Sequence, residues 1–244
     1  MIDKNLIRER FGEAIATYDD EAVAQRRIAC RLSELMRPYT PKGGHIFEAG
    51  CGTGIMSRLL INEFTPASLL MVDLSESYRH CLADIEGPAV RFVAEDAEEV
   101  ELPQGLSAVV SSSAMQWFDN PARFILRCSE ALACGGVMAI ATYGVDNMRE
   151  IGSLSGVRLH YPSCDELKAM IAPSLSLEHM SQELITMTFP SAREALRHLR
   201  RTGVAAIERP LGVAATRRLI ADYDSLYHPV TLTYHPVYIV ARKK

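Results

Sequence analysis

Residues 46–56 read IFEAGCGTGIM. An apolar run carrying one acid, Glu48, leads directly into three glycines, Gly50, Gly52 and Gly54, alternating with small residues. Between a strand and a helix, such a turn lets backbone amides approach a ligand that side chains would hold off. The spacing is G-x-G-x-G, whereas the dinucleotide fingerprint is G-x-G-x-x-G. Glu48 would add like charge beside a pyrophosphate. An acid at that position suits a ligand carrying an ammonium group.

Two further acids extend the pattern. Asp73, in LLMVDLS, ends the next apolar run, where a carboxylate can accept both ribose hydroxyls of a nucleoside. Asp96, in VAEDAEE, ends the following one and can accept from the exocyclic amine of adenine. Alone, the glycines could be a structural turn, Asp73 a helix N-terminal charge and Asp96 a solvated loop acid. Together, at three consecutive strand ends, they describe an uncharged nucleoside with a cationic tail and no phosphates. That ligand is S-adenosylmethionine.

From residue 45 short apolar runs alternate with longer helical stretches. HIFEAG, ASLLMVDL, VRFVAED, LSAVVSS and GVMAIATY read as strands, and residues 54–64, 76–85 and 121–133 as helices. The alternation predicts an α/β protein with a mostly parallel sheet and helices on both faces. Residues 3–17 and 20–36 carry apolar positions at helical spacing; in the second, Val23, Ile28, Leu32 and Leu35 fall near one face, and Pro38 and Pro41 end it. After residue 143 helical segments at 163–172, 191–202 and 212–227 mix with two strand-like runs, 175–189 and 230–242, expected to close the sheet as an antiparallel pair. Pro236 inside the last run predicts a bulge or a broken ladder. We read residues 1–244 as a single domain: a helical cover over 1–40, a cofactor-binding core over 45–143, and substrate-side helices with closing strands over 144–244.

Composition narrows the class. Apolar residues make up 48% and charged residues 23%, as in a globule with a sizeable core, and the net charge of −4 gives no whole-chain pull toward nucleic acid or membrane. No apolar run reaches the roughly 18 residues of a membrane span. The charged N-terminus MIDKNLIRERFGEA lacks the apolar core of a signal peptide, so a cytoplasmic protein is expected. The six cysteines show no C-x-x-C pair and read as buried small residues in a reducing compartment. The seven histidines do not cluster with them at ligand spacing, so no metal is expected.

Across residues 45–143 the motifs EAGCGTG, VDLS, AEDAEE and SSSAMQWF resemble those of class I S-adenosylmethionine-dependent methyltransferases. The resemblance implies a Rossmann-like sheet of seven strands with the last antiparallel, under an N-terminal helical cover and with a helical insertion before the last strand. Three other segments, RFGEAIATYDDEAVAQRRIA, SSSAMQWFDNP and SAREALRHLRRTGVAA, resemble the malonyl-acyl-carrier-protein O-methyltransferases of biotin synthesis, and this likeness spans nearly the whole chain. It implies methylation of the free carboxylate of a malonyl thioester on acyl carrier protein. The ester masks the charge, so that fatty-acid elongation accepts the chain as a primer. Trans-aconitate methyltransferases share the cofactor motifs and a similar QW, so Gln116 and Trp117 do not decide the family.

Carried over residue by residue, the resemblance implies that Tyr18 and Gln25 lie near the methionine end of the cofactor. Glu48, Gly50, Gly52, Gly54, Asp73, Leu74, Asp96 and Ala97 would surround the rest, with Ser111 and Gln116 beside the departing methyl group. Where such relatives often read S-N-L, this chain reads Ser111-Ser112-Ser113, which weakens any role for a side-chain amide at 112. Tyr18 could equally be a core tyrosine, and Trp117 packing rather than a substrate wall. A carboxylate is ionised at neutral pH. No catalytic base is therefore expected, and Tyr18, Gln116 and Trp117 are positioning candidates.

Arg193, Arg197, Arg200 and Arg201 crowd one predicted helix, largely on one face at three- and four-residue spacing. They form either a solvated face or, as the resemblance implies, a docking surface for the acidic carrier protein. One of them turned inward could hold the malonyl carboxylate in a bidentate pair. Two rival functions are a methyltransferase of a small free carboxylic acid and a non-catalytic S-adenosylmethionine-binding protein. The glycine spacing and Glu48 disfavour a nicotinamide dehydrogenase.

Overall fold

Apolar runs such as IFEA and LLMV need cover on both faces, which a central sheet between two helical layers supplies. The computed structural model describes residues 3–156, 159–204 and 212–244. In it these runs form β1 (His45–Ala49), β2 (Ser68–Asp73), β3 (Val90–Ala94), β4 (Leu106–Ser112) and β5 (Leu132–Tyr143), all paired in parallel. With β6 (Leu175–Gln182) and β9 (Pro236–Lys243) they make one seven-stranded sheet of order β3-β2-β1-β4-β5-β9-β6. β9 runs antiparallel to both of its neighbours. The expected Rossmann-like sheet is present.

The two late runs behave less simply than expected. Each splits between two sheets: β7 (Ile185–Phe189) leaves the main sheet and pairs antiparallel with β8 (Val230–Tyr234). Pro236, which has no N–H to give a ladder, opens β9 where the chain crosses from the small sheet to the large one. The broken ladder anticipated at Pro236 is that crossing.

Two helical layers sandwich the sheet. α2 (Val23–Met36) and α3 (Ile55–Phe64) cover one face through Ile28, Leu32, Leu60 and Phe64. α5 (Pro121–Ala131) and α7 (Cys164–Ile171) cover the other through Phe124, Cys128, Leu167 and Ile171. α1 (Lys4–Glu21) starts at Asp3, whose carboxylate accepts the N–H groups of Asn5 and Leu6. α8 (Ala192–Arg201) and α9 (Val213–Leu226) precede β8. The 76–85 stretch is shorter than its pattern suggests: a 3₁₀ turn Glu76–Tyr78, then α4 (Arg79–Leu82). α6 (Arg149–Ser155) and a 3₁₀ turn Met115–Trp117 are too short to show a period in the sequence.

Two expectations on burial are corrected. Val23 is 56% exposed because it points away from the buried face of α2, which Ala24, Gln25, Ile28, Ala29 and Leu32 form. Of the six cysteines, Cys51 and Cys128 are buried, whereas Cys30 and Cys134 are exposed. Met1 and Ile2 of the N-terminal cover, and the final two residues of SAREALRHLRRTGVAA, lie outside the described residues.

Candidate active site

The strand order reverses between β1 and β4, whose carboxyl ends diverge to neighbours on opposite sides. Open α/β sheets bind ligands at such a switch point. Here the glycine turn follows β1 and the serine run follows β4, and between them opens a cleft of about 890 Å³ including its mouth. α1 roofs it with Lys4, Ile7, Phe11 and Tyr18, and α2 adds Gln25.

The glycine turn shapes the floor. At Gly50, φ is +75° and an added Cβ would lie 2.2 Å from Ala114 Cβ, so the turn packs flush against the chain leaving β4. At Gly52, φ is +51° and a Cβ would meet nothing, because its bare face opens toward the cleft. Gly54 is different from the sequence expectation. It caps α3 outside the cleft lining, and its bare Cα makes room for Arg58 and Leu82. Its role is structural.

All three acids reach the cleft, with Leu74 and Ala97 beside them. Glu48 is 1% exposed and accepts from Ser57 Oγ at 2.6 Å. Burial pushes its carboxyl up to about 7; the Ser57 bond opposes the rise and the Asp73 charge adds to it. Asp73 accepts the backbone N–H of Gly52 at 2.9 Å and of Ser75 at 3.4 Å. Burial lifts it to about 6 against those bonds. Asp96 is held by Lys4, at 2.6 Å, and Lys4 also grips Glu98 at 2.5 Å. Lys4 is the one basic side chain among the described lining residues and it is already paired, so Glu48 and Asp73 face the cleft without a cation.

A second cavity of about 330 Å³ adjoins the first. Phe11, Tyr18, Gln25, Ser113 and Trp117 line both. Four tyrosines, Tyr18, Tyr143, Tyr161 and Tyr234, dominate its walls, and no described lining residue is charged. The Tyr143 hydroxyl donates to Ser113 Oγ at 3.1 Å. Gln116 belongs to this cavity rather than to the cofactor cleft; its Nε2 donates to the Ser113 carbonyl at 2.6 Å, while Oε1 is buried without a partner. Trp117 is 8% exposed and meets Phe11 edge to face at 5.6 Å, so it both packs and walls the junction.

Two expectations are not met. Ser111 lines neither cavity: it is fully buried within β4, on the same side as Val109, which packs under α5. The strand has the bounds its sequence predicts, so Ser111 is an inward-facing strand residue, and Ser112 and Ser113 at the strand's end take the place beside the cleft. The second is an inward arginine. Arg193, Arg197, Arg200 and Arg201 are all exposed, Arg197 pairs with Glu194 and Arg201 with Glu21, each at 2.8 Å, and none lines a cavity. Their helix nevertheless ends in Thr202 and Val204, which do line the second cavity.

The cleft suits S-adenosylmethionine on its own chemistry. Among the described lining residues, Gln25 Oε1 is a buried acceptor without a partner, two carboxylates lack a cation, and no group is placed to neutralise a phosphate. Residues 46–136 match a family model described as a methyltransferase domain. The malonyl-[acyl-carrier protein] O-methyltransferase of Bacteroides helcogenes is 33% identical over the whole of both chains. This chain belongs to that family. A further relative of the methyltransferase, from Acinetobacter baylyi, carries the same name and is 35% identical over 99% of this chain and 98% of its own. Another, from Bacteroides fragilis, is 38% identical over 99% of this chain, which spans only 51% of that protein's length.

Solved structures agree on the fold. The YcgJ protein of Bacillus subtilis superimposes with a TM-score of 0.66 at 12% identity, covering 87% of this methyltransferase and 97% of that chain. Geranyl diphosphate C-methyltransferase of Streptomyces coelicolor, solved with S-adenosyl-L-homocysteine, gives 0.55 at 15% identity over 89% and 80%.

Proposed function

We propose that this S-adenosylmethionine-dependent enzyme methylates the free carboxylate of malonyl-acyl-carrier protein, giving the methyl ester that primes pimeloyl formation in biotin synthesis. The observation that carries the reading is the shared wall of the two cavities. Tyr18, Gln25 and Ser113 face both, so a group held in the second cavity meets the methionine end of a cofactor held in the first.

When bound, S-adenosylmethionine supplies a methyl carbon made electrophilic by its sulfonium. The residues around it hold and orient. Glu48 and Gln25 suit the ammonium and Asp73 the ribose hydroxyls. Asp96 and Ala97 lie at the end for adenine, although both Asp96 oxygens are already engaged, one by Lys4 and one by the Glu98 N–H. The substrate carboxylate arrives ionised, and no proton leaves it, so no base is required. What the protein adds is alignment and removal of water from the anion. The second cavity, rich in aromatic rings and without a charge among its described lining residues, does the latter.

The substrate is carried on acyl carrier protein, and the exposed arginines of α8 are proposed as its docking face. They lead directly to Thr202 at the cavity wall, an order that supports a phosphopantetheine arm reaching from that face into the cavity. Charge complementarity of this kind mainly speeds encounter. Among the described residues no helix is long and apolar enough to cross a membrane. The test is transfer of labelled methyl to malonyl-acyl-carrier protein, with the acetyl form, which lacks the carboxylate, as the control that must stay unlabelled.

A further inference from the structure

The second cavity poses a chemical problem: a carboxylate is to be held by walls that carry no charge among the described residues. A buried histidine sits one hydrogen bond behind the wall. Tyr234, fully buried, lines the cavity, and its hydroxyl lies 2.8 Å from His198 Nε2. His198 is 2% exposed, and its Nδ1 lies 2.9 Å from Glu21 Oε2. The other Glu21 oxygen takes Arg201 at 2.8 Å. A chain of groups thus runs from the α8 surface to the cavity.

We propose that His198 is a positioning residue that sets Tyr234 to donate to the substrate carboxylate, taking up a proton as the substrate binds. The inference rests on the carboxyl-methyltransferase reading above. Its logic is donor bookkeeping. Glu21 is held ionised, its carboxyl kept low by the bond from His198 despite burial, with Arg201 adding to the effect. An ionised carboxylate only accepts, so His198 Nδ1 carries a hydrogen in either charge state. In neutral His198 the Nε2 is then bare and takes the Tyr234 hydrogen, leaving only lone pairs of Tyr234 to face the cavity. In the imidazolium, Nε2–H donates to the Tyr234 oxygen, and the Tyr234 hydrogen is released to the cavity side.

A carboxylate therefore binds well only against the second arrangement. Burial keeps Tyr234 protonated, so the phenol remains a donor. The ionisable groups facing this pair are Glu21 on α1 and Arg201 on α8, with Tyr18 and Tyr143 near Tyr234; the Phe189 ring covers His198 from β7. Gln25 and Thr202, which line the same cavity, also hydrogen-bond toward the Tyr234 hydroxyl. The arrangement has a kinetic merit. A cation in direct contact would blunt the carboxylate as a nucleophile, whereas a phenol backed by an imidazolium holds one oxygen and leaves the other free.

The test uses the full-length protein and a small malonyl thioester, so that carrier docking does not enter. Tyr234→Phe and His198→Gln should each raise KM for the thioester tenfold or more, with affinity for S-adenosyl-L-homocysteine unchanged within twofold by calorimetry. The double variant should be no worse than Tyr234→Phe alone, because His198 acts through that hydroxyl. Binding of a non-reactive dicarboxylate in buffers of different ionisation enthalpy should show proton uptake in the wild type and none in His198→Gln. Should His198→Gln fail to fold, Glu21→Gln replaces it and should reduce the uptake. An unchanged KM in Tyr234→Phe, additive losses in the double variant, or absence of proton uptake would overturn the proposal. Wild-type protein that leaves the malonyl thioester unmethylated would instead overturn the substrate reading, and this inference with it.

Discussion

Lys4 Nζ lies 2.6 Å from Asp96 Oδ2, tying the first turn of α1 to the end of the third strand across the mouth of the cofactor cleft. Glu98 shares the ammonium at 2.5 Å. At its other end α1 is tied to α8, where Glu21 takes Arg201 at 2.8 Å and the Arg201 carbonyl accepts from Thr17 Oγ1 at 3.1 Å. The roof is thus fastened at both ends rather than draped. Its weaker end is the exposed one, at Arg201, since surface ion pairs contribute little.

This arrangement predicts how the cover opens. We expect amide exchange over residues 4–21 to slow when cofactor binds, since a closed roof excludes water. In Lys4→Ala the cofactor-free protein should exchange faster over the first two turns of α1, with the sheet unchanged. Equal exchange with and without cofactor would make the helix a fixed layer.

The second acid gives a binding prediction. Asp73 is proposed to accept the ribose hydroxyls while holding the Gly52 amide. Asp73→Asn keeps an acceptor for that amide and removes the charge. Hydrogen bonds to charged groups contribute about 1.5–3 kcal/mol, so affinity for S-adenosyl-L-homocysteine should fall about tenfold or more. Thermal stability of the cofactor-free protein should hold or rise, because a buried carboxylate has been removed. Affinity within twofold of wild type would take Asp73 out of the site.

The raised carboxyls predict a pH dependence of definite sign. Glu48 titrates at about 7 in the folded protein against an ordinary 4.5, and Asp73 at about 6 against 3.8. Between the ordinary and the folded values the native state holds more protons than the unfolded one, so both groups make stability fall as pH rises. Their contribution is intact below the ordinary values and lost as pH passes through the folded ones. Cofactor affinity should move the opposite way, tightening as Glu48 ionises to meet the ammonium. Glu48→Gln should flatten both trends, and wild-type curves parallel to those of Glu48→Gln would count against the assignment.

Charge on α8 gives a kinetic prediction. Arg201 is engaged with Glu21 and Arg197 with Glu194, so the cleaner reversal is Arg193→Glu with Arg200→Glu. KM for malonyl-acyl-carrier protein should rise several-fold, more at low salt than at high, because encounter between surface charges is screened. Turnover of a small malonyl thioester should stay at the wild-type rate. Equal retention on both substrates would return the arginines to a solvated face.

Much of the cofactor half was legible because its signals are local. A strand, a glycine turn and an acid within residues 45–54 carry their own geometry, and the same grammar repeats at Asp73 and Asp96. The errors are local too. Ser111 was misplaced because it was assigned to the cleft although it lies within the predicted strand, on the alternate side from Ser112, and Gly54 because a helix cap and a ligand contact call for the same residue. The second cavity was legible only in part, through Tyr18, Gln25, Gln116 and Trp117. Tyr143, Tyr161 and Tyr234 come from β5, a loop and β8, and only the crossing of the chain between two sheets brings them together. Helical spacing puts His198 on the buried face of α8 with Ala192, Ala195 and Leu199, but it could not say that the imidazole would stand between Glu21 and Tyr234.

The central claim is that the accepted methyl lands on a carrier-borne malonyl carboxylate. Its most direct measurement is a competition in which limiting labelled S-adenosylmethionine is offered malonyl-acyl-carrier protein together with free malonate and trans-aconitate, and every product is identified by mass. The account predicts label as a methyl ester on the malonyl group of the carrier protein, with the free acids unlabelled. Label on a free acid with the carrier protein unmodified would contradict it.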